Sequence, residues 1–404
     1  MARHFPNFLE AYEAYALDGF VPDRFHQWVG RSIVAAAVER KVTLKQGRIH
    51  HVPNIYVMLV SHPAVGKSTA IEAGTDLFEA VRADHNPNLK IIPNQATEPA
   101  LIDLMKIREM MQISPAIFYP HSSAYFYASE ASASALQNTC GDFVAAMTAF
   151  YDCPKWFRKK LKGEKDSTEI ENSCMNLLSG ATFNYLKTLV NEQSVLGGFA
   201  SRLIYVVAPE RKVRVNKWGS SREFDSVMGR KLVEDLADIN KLVGPMRPTP
   251  EFIACYEEWQ PQFDRYLIDL NSERLEAIMS RKGTNLLKVS MILSISEGNS
   301  LVVTDKHFER ALEIIEDAYK DNPSIIAAAA MAEKNSQSGV NQIIGQTVKK
   351  AGGVMPMADL KRAALSAGYE VDSISKTIEY MLGSSYLERD GSNIKLLVDP
   401  DRHL

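Results

Sequence analysis

The stretch VMLVSHPAVGKSTAIEAG, residues 57–74, has the residue types and the spacing of a loop that binds a nucleoside triphosphate. Gly66 lets the backbone approach a phosphate, Lys67 supplies an ammonium group for the outer phosphates, and Ser68 supplies a hydroxyl group for Mg²⁺. Such a loop lies between a strand and a helix, and the flanking residues have both patterns. We therefore predict a site for ATP and Mg²⁺. The residues predicted to bind ATP are Ser61, Pro63, Ala64, Val65, Gly66, Lys67, Ser68 and Thr69.

The loop departs at one position from the pattern G-x-x-x-x-G-K-[ST], because Ser61 replaces the first glycine. That glycine serves the geometry of the turn rather than phosphate contact, so a serine is acceptable there if its φ angle is negative. Pro63 stiffens the same loop by fixing its own φ angle. An ordinary strand-to-helix turn with a coincidental Gly-Lys-Ser sequence remains the alternative interpretation.

Hydrolysis of a triphosphate needs a carboxylate that positions or activates water, usually at the end of a neighbouring strand. The apolar stretch AYFYASE, residues 124–130, ends in such a position. We predict that Glu130 is the catalytic carboxylate and that Ser129 contacts the metal ion or its waters. A serine binds those waters more weakly than an aspartate, so turnover is expected to be slow. The alternative is a strand that runs into a helix with an acidic cap.

Polar residues also lie beside two later strands, in NLLSGATFNYL (176–186) and GGFASRLIYVV (197–207). Thr182 and Asn184 are predicted to hydrogen-bond the γ-phosphate or the attacking water, and helix capping by Thr182 is the alternative. Arg202 is predicted to reach across a subunit boundary and stabilise the transition state in a neighbouring site. For Arg202 the alternative is a simple salt bridge.

The most basic stretch of the chain is KWFRKKLKGEK, residues 155–165, with six Lys or Arg residues and one Glu. Its cations would bind phosphates, and an aromatic ring would stack on a base. A solvated basic loop is the alternative. The predicted nucleic-acid contacts are Trp156, Arg158, Lys159, Lys160, Lys162 and Lys165.

The composition narrows the classes of protein. The chain has 404 residues and a net charge of -3, so a globally basic nucleic-acid coat is excluded and any such contact needs a local patch. Its four cysteines show no metal-binding or disulfide spacing. The sequence shows neither an apolar run of about 18 residues nor a signal peptide, so we expect no membrane contact and a cytoplasmic location.

Alternating strand and helix patterns predict an α/β fold with a parallel sheet covered on both faces. The expected strands are 55–60, 89–93, 123–129, 174–181 and 202–208. The expected segments are an N-terminal helix and hairpin (1–53), the α/β core (54–224), a helical region (225–333) and, after a polar linker, a winged helix (339–404). That last segment carries balanced charge, so a basic DNA reader is not supported.

The order of loop, acidic strand, polar strand and arginine resembles the AAA+ P-loop ATPases. The stretch NLLKVSMILSISEGNSLVVTDKHFERALEII resembles the lid of minichromosome-maintenance helicases, and Lys288 stands where that lid has its second-sensor arginine. Residues 20–210 also resemble a phage and prophage family described as helicase-like. These resemblances imply an ATP contact for Lys288, a β-hairpin at 155–165 that projects into a central pore and turns at Gly163, and a bacterial host.

Together these features predict an ATP-driven motor, a ring-forming replicative DNA helicase with six subunits. Its partners would be single-stranded or forked DNA, further copies of the chain, and a primase, polymerase or single-strand-binding protein. The alternative is an AAA+ switch that loads or regulates another replication or transposition protein without unwinding DNA. A small-molecule kinase is disfavoured, since no acceptor site is visible in the sequence.

Overall fold

The structure is a computed structural model, and it contains two compact units, Met1–Pro323 and Ser324–Leu404. The first two predicted segments and the third as far as Pro323 therefore belong to one unit. The residues that the structure describes are 3–16, 21–114, 117–137, 141–160, 167–190, 198–208, 210, 227–270, 272–327, 337–369, 371–384 and 386–397.

A parallel sheet forms the centre of the first unit, which confirms the predicted α/β class. The five predicted strands are all present, in the order β10, β3, β9, β6, β4, and every pair among them is parallel. A further strand, β5, runs antiparallel to β6. The strands are β3 (Tyr56–Val60), β4 (Ile91–Ile92), β5 (Glu109–Ser114), β6 (Ile117–Ala128), β9 (Ser173–Ala181) and β10 (Leu203–Val207).

The residues of the adjacent strands β10, β3 and β9 explain why the sheet is covered on both faces. Every residue of β3, β9 and β10 is buried. Burial of this kind favours nearly uninterrupted apolar runs, which β3 and β10 have, instead of the alternation seen when one face meets water. Strand β9 also contains the polar residues Asn176 and Ser179, which donate hydrogen bonds to the main-chain oxygens of Ala35 and Ala128. Helices supply the cover. They are α1 (Phe8–Ala16), α2 (Asp23–Val38), α3 (Lys67–Asp84), α4 (Glu98–Lys106), α5 (Asp142–Tyr151), α6 (Phe183–Leu189), α7 (Phe199–Arg202) and α8 (Val227–Asn240).

The region predicted as helical throughout, 225–333, contains two short strands. Strand β11 (Gly244–Pro248) pairs in parallel with β1 (Val42–Gln46), and β12 (Val302–Val303) pairs with β11. Strand β2 (Ile49–His51) completes this second sheet by the hairpin predicted around Gly47. The pairing is between distant parts of the chain, so local periodicity did not indicate it. The remaining helices are α9 (Pro250–Ile268), α10 (Glu273–Met279), α11 (Lys282–Glu297) and α12 (Asp305–Tyr319).

In its described residues from 337 onward, the second unit has three helices and a three-stranded antiparallel sheet of order β13, β15, β14. Strands β14 and β15 join through a turn at Asp390 and Gly391, and Gly391 has the positive φ angle that suits glycine. The predicted linker, 332–339, lies mostly outside the described residues. The elements are α13 (Gln337–Lys350), β13 (Val354–Pro356), α14 (Met357–Ser366), α15 (Val371–Gly383), β14 (Leu387–Asp390) and β15 (Asn393–Leu396).

Among the residues described, no helix combines the length and the apolar content that crossing a membrane would require.

Candidate functional site

The predicted phosphate loop connects β3 to α3 at the carboxyl edge of the central sheet. Ser61 is buried and its φ angle is not positive, so serine is accommodated at the position of the missing glycine. The turn instead uses positive φ angles at Ala64 (64°) and Gly66 (101°). Helix α3 is 18 residues long and begins at Lys67, with no side chain capping its first amides. Those amides and the positive helix end therefore point at the space above the loop.

Lys67 lies within this loop. It is 7% exposed, and its Nζ donates to Ser61 Oγ at 3.0 Å, to the His62 carbonyl oxygen at 3.2 Å and to the Ser61 carbonyl oxygen at 3.3 Å. Burial lowers the pKa of Lys67, and the negative charge of Glu130 opposes that shift. An anion bound beside the ammonium would offset the cost of its burial.

The strand register brings the other predicted groups to the same edge. Val60 is opposite Ala181, and Ala128 is opposite Ser179. The residues that follow these strands therefore leave the sheet side by side. Glu130 is half-buried, and its Oε1 accepts a hydrogen bond from Ser132 Oγ at 3.0 Å. The structure thus brings together the residues predicted to bind phosphate, metal and water, namely Lys67, Ser129 and Glu130.

Gly180 makes this convergence possible, and sequence reasoning did not identify it. A Cβ atom at residue 180 would lie 2.3 Å from the carbonyl oxygen of Ser129 and 3.4 Å from Cβ of Lys67. Only glycine fits between them without moving the backbone, because the nearest atom belongs to the main chain of Ser129. The signal was present in the small-residue run LLSGAT, but the sequence did not show which of its residues faces Ser129.

The remaining loop residues form the rim of the site. Val65 is buried and anchors the loop, whereas Pro63, Ala64 and Ser68 are exposed and Thr69 is half-buried. The Ser68 hydroxyl lies in the first turn of α3, where it is free of the core and accessible from the loop. These donor types fit Mg²⁺ with a triphosphate, since a hydroxyl oxygen and phosphate oxygens are ligands that Mg²⁺ prefers.

Thr182 and Asn184 lie beside this site, at the start of α6. Thr182 Oγ1 accepts a hydrogen bond from the Tyr185 amide at 3.3 Å, so the capping interpretation is confirmed. Asn184 is exposed on the first turn. Tyr185 is buried, and its hydroxyl donates to the Leu136 carbonyl oxygen at 2.7 Å. Burial raises the pKa of Tyr185, and the Glu130 charge adds to the rise, so this phenol stays protonated beside the carboxylate.

Arg202 lies at the amino ends of the parallel strands, whereas the phosphate loop lies at their carboxyl ends. It immediately precedes β10, which runs parallel to β3 with Leu203 opposite Tyr56. Its Nη2 contacts Asp152 Oδ2 at 2.5 Å, and its Nη1 donates to the Gly198 carbonyl oxygen at 2.7 Å. Arg202 is 8% exposed. The structure therefore does not bring Arg202 to the loop of its own chain, and the salt bridge named as the alternative is present.

Lys288 is also remote from the loop. Its Nζ donates to Asn54 Oδ1 at 2.7 Å and to the Asn54 carbonyl oxygen at 2.9 Å, and it lies 3.9 Å from the centre of the Tyr151 ring. Burial lowers the pKa of Lys288 to about 8. Since Asn54 precedes β3 and the phosphate loop follows it, the expected contact between Lys288 and the bound nucleotide is not formed in this chain.

The basic stretch contains the first strand of an antiparallel pair. Strand β7 (Trp156–Lys159) pairs antiparallel with β8 (Thr168–Glu171), with Trp156 opposite Glu171. The family resemblance implied a hairpin within 155–165, and only the first strand of the observed pair lies in that range, because β8 begins at Thr168. Lys162 and Lys165, with the proposed turn at Gly163, lie outside the described residues.

The two faces of β7 differ. Trp156, Arg158 and Lys160 are exposed, and the Arg158 guanidinium lies 5.5 Å from the centre of the Trp156 ring. Phe157, between them, packs on Phe150 with ring centres 4.7 Å apart. This alternation separates an exposed aromatic and basic face from an anchoring face.

The predicted cations of the hairpin are also partly paired. Arg158 Nε contacts Glu169 Oε1 at 2.7 Å, and the Lys159 ammonium is paired with Glu98. The Arg158 pair is exposed and therefore weak, so this guanidinium can exchange its carboxylate for a phosphate. Lys159 is directed toward a largely buried carboxylate and is less available.

A second polar cluster lies at the amino edge of the sheet, beside a cavity of about 540 Å³. It contains Glu39, Glu109 and His121, whose ligand atoms lie within 4.8 Å of one another. Lys41 contacts Glu39 at 2.6 Å, and Lys90 contacts Glu109 at 3.5 Å. Because two ammonium groups already neutralise the carboxylates, we do not assign a metal ion to this cluster. Burial raises the pKa of Glu109 to about 7 and lowers the pKa of His121 to about 4.

Comparison with known proteins found no match, either to a family model or to a curated protein.

Proposed function

We propose that this chain is an AAA+ P-loop ATPase whose site is the loop between β3 and α3. One observation carries the proposal: Lys67, Ser129 and Glu130 meet at one sheet edge, through the gap that Gly180 leaves open. A lysine in a loop at the positive end of a long helix suits phosphate, and a neighbouring carboxylate suits an attacking water.

Each group of the site has a distinct task in hydrolysis. The amides of the loop and Lys67 hold the phosphates and stabilise the charge that grows on them in the transition state. Glu130 accepts a hydrogen bond from the attacking water and orients it. Ser68 would hold Mg²⁺ together with the phosphates, the ion would supply further positive charge, and Ser129 would hydrogen-bond its waters. Thr182 caps α6 through its Oγ1, and Asn184, exposed on the first turn of that helix, would contact phosphate.

We further propose that the ATPase acts as a motor on single-stranded DNA. The exposed face of β7 supports this function, since Trp156 offers a stacking surface and Arg158 and Lys160 offer phosphate contacts. Arg202 cannot serve the site of its own chain. In a ring it would serve the neighbouring site, which is why the proposed assembly is a homo-oligomer, with six copies as the expected number. The second unit, with three helices and an antiparallel sheet, is proposed to be a winged helix.

The test is equilibrium binding of a fluorescent ATP analogue to the full chain in the presence of Mg²⁺. Lys67→Met should weaken binding by a factor of about ten or more, since one charge-assisted contact contributes roughly 1.5–3 kcal/mol. Lys241→Met is the matched control, because Lys241 is exposed and its ammonium group pairs with Asp238 at 2.7 Å. Equal affinity in the wild type and in Lys67→Met would contradict the proposed site.

The alternative function, a switch that acts on another protein without unwinding DNA, is favoured by the pairing of Arg202 with Asp152. An arginine held in its own chain suits an enzyme that is silent until a partner rearranges it. Strand-displacement assays separate the two functions. A motor unwinds forked DNA with ATP and loses that activity in Lys67→Met, whereas a switch binds and hydrolyses ATP but leaves the fork intact.

A further inference from the structure

Two guanidinium groups face one small cavity between helices α2 and α12. Arg31 extends from α2 and Arg310 from α12, and both line a cavity of about 180 Å³. The cavity is too small for a nucleotide, since pockets for ligands of that size have volumes of roughly 300–1,000 Å³. It is therefore distinct from the proposed ATP site in both place and size.

Arg31 is buried without the partners that a buried cation requires. It is 4% exposed, and in the described part of the chain its Nε and Nη1 atoms have no hydrogen-bond partner. The guanidinium lies 5.3 Å from the centre of the Trp28 ring, which contacts its face and leaves its nitrogen edge unused. Burial lowers the pKa of Arg31 to about 10, so the group is still charged at neutral pH. Two buried donors without acceptors are costly and mark a place where an acceptor is missing.

The same pair of helices shows how such an arginine is normally matched. Arg24, two turns earlier on α2, contacts Asp317 Oδ2 at 2.8 Å and Asp321 Oδ2 at 3.1 Å. Arg31 lies seven residues after Arg24 on α2, and Arg310 lies seven residues before Asp317 on α12. At Arg24 the two helices pair an arginine with carboxylates, whereas at Arg31 they place a second arginine, Arg310, opposite. The positive charge of Arg310 contributes to the lowered pKa of Arg31.

The carboxylates near this cavity do not complete the match. Asp317, which also lines the cavity, pairs with Arg24 and Lys320. Glu313 pairs with Arg310 at 2.8 Å, but both side chains are more than 60% exposed, so the pair is weak and can open. Glu13 attracts Arg31 at longer range, and its Oε2 accepts a hydrogen bond from Gln27 at 3.4 Å. Neither oxygen set reaches the Nε and Nη1 atoms of Arg31.

We propose that this cavity binds one inorganic phosphate ion. The ion would accept two hydrogen bonds from Nε and Nη1 of Arg31, in the bidentate geometry that a planar guanidinium offers to an oxyanion. Arg310 would contact it from α12 after releasing Glu313. Bound phosphate would thereby link the two helices across the gap where their own side chains repel. The proposal does not depend on the proposed ATPase function.

The experiment is thermal unfolding of the full chain at increasing sodium phosphate, with sodium chloride added to keep the ionic strength constant. All variants carry Lys67→Met, so that phosphate binding at the P-loop does not contribute. We expect the unfolding midpoint to rise by roughly 2–4 °C at about 20 mM phosphate, the shift produced by a ligand with a dissociation constant near 1 mM. Arg31→Met and Arg310→Met should each abolish this rise.

The controls make both outcomes decisive. Arg247→Met removes the same residue type from an exposed position on β11, and it should keep the full response. Acetate at equal ionic strength should stabilise the protein less than phosphate, because it presents two acceptor oxygens where phosphate presents four. A midpoint that does not respond to phosphate, or a response that survives in Arg31→Met and Arg310→Met, would overturn the proposal. A larger response to acetate than to phosphate would also overturn it.

Discussion

A side chain at residue 180 would collide with the main chain of Ser129, since its Cβ would lie 2.3 Å from that carbonyl oxygen. Strands β6 and β9 can therefore lie close enough to place Glu130 beside Lys67 only if residue 180 is glycine. The distance between these two strands at their carboxyl ends is thus the geometric condition for the candidate site.

Gly180→Ala should lower the rate constant of ATP hydrolysis by about tenfold or more, because a shift of about 1 Å in a catalytic group has large effects on rate. The fold should survive, since the strand ends can separate slightly. Steady-state hydrolysis together with thermal unfolding measures both effects.

Gly283→Ala is the matched control for this substitution. A Cβ there would meet only the Trp259 and Tyr256 side chains at 3.5–3.7 Å, an ordinary contact. We expect unchanged hydrolysis, with stability raised by up to about 1 kcal/mol because alanine favours a helix more than glycine does. Equal loss of activity in both variants would show that the close approach at Gly180 has no special role.

Arg202 should act on a neighbouring site, because its own loop lies at the other edge of the sheet. Lys67→Met and Arg202→Met chains should each be inactive alone. In an equal mixture, a subunit boundary is intact when the loop comes from an Arg202→Met chain and the arginine from a Lys67→Met chain. If rings assemble at random, about one boundary in four meets this condition and should regain activity. ATP hydrolysis at increasing ratios of the two variants measures the recovery. No recovery in a mixture that demonstrably exchanges subunits would argue against the trans role.

The exposed face of β7 should bind single-stranded DNA. Trp156→Ala should weaken binding by about 1–3 kcal/mol, the contribution of one stacked base, with little effect on the unfolding midpoint. Phe157→Ala should lower the unfolding midpoint with little effect on DNA binding, because Phe157 packs on Phe150 instead of facing solvent. Fluorescence anisotropy with a labelled oligonucleotide and thermal unfolding distinguish the two. A Trp156→Ala variant with full affinity would remove β7 from the interface.

Arg158 and Lys159 are neighbours on opposite sides of β7, so substituting each of them tests which side binds DNA. Arg158→Ala should reduce the slope of log affinity against log salt by about 0.7, the value for one lost phosphate contact on a single strand. Lys159→Ala should change that slope less, since its ammonium is paired with Glu98 on the anchoring side. Salt titrations of both variants test this order, and the reverse order would mean that β7 presents its other face to DNA.

Stability should fall as the pH drops from about 6.5 to about 4. Burial lowers the pKa of both His51 and His121 to about 4, so these rings stay neutral in the folded protein while the unfolded chain binds protons. Glu109 opposes this, because its pKa of about 7 lets the folded state take up a proton before the unfolded state does. Two histidines outweigh one carboxyl group, and the net loss should be on the order of 1–3 kcal/mol.

Urea unfolding of the full chain at pH 7.5, 5.5 and 4.5 measures this dependence. The variant with both His51→Gln and His121→Gln should lose less stability on acidification than the wild type, even if it is less stable at pH 7.5. An identical pH dependence in the two proteins would mean that these histidines titrate normally.

The sequence alone determined the features that depend on neighbouring residues. The loop with Lys67, the five strands of the parallel sheet and the N-terminal hairpin follow from local periodicity and turn residues. Whether serine fits at position 61 also depends on local geometry, because it requires only that the φ angle of Ser61 is not positive. These features are encoded within short stretches because hydrogen bonds of turns and helices join residues a few positions apart.

Only the tertiary structure decided which distant groups meet. Gly180 faces Ser129 because β9 lies beside β6, an order of strands that no local pattern encodes. Arg202 and Lys288 lie at the far edge because Arg202 precedes its strand and Lys288 contacts the residue before β3, whereas Lys67, Ser129 and Glu130 follow their strands. In a parallel sheet, residues before and after strands emerge at opposite edges, so strand direction and order together decide which side chains share a site.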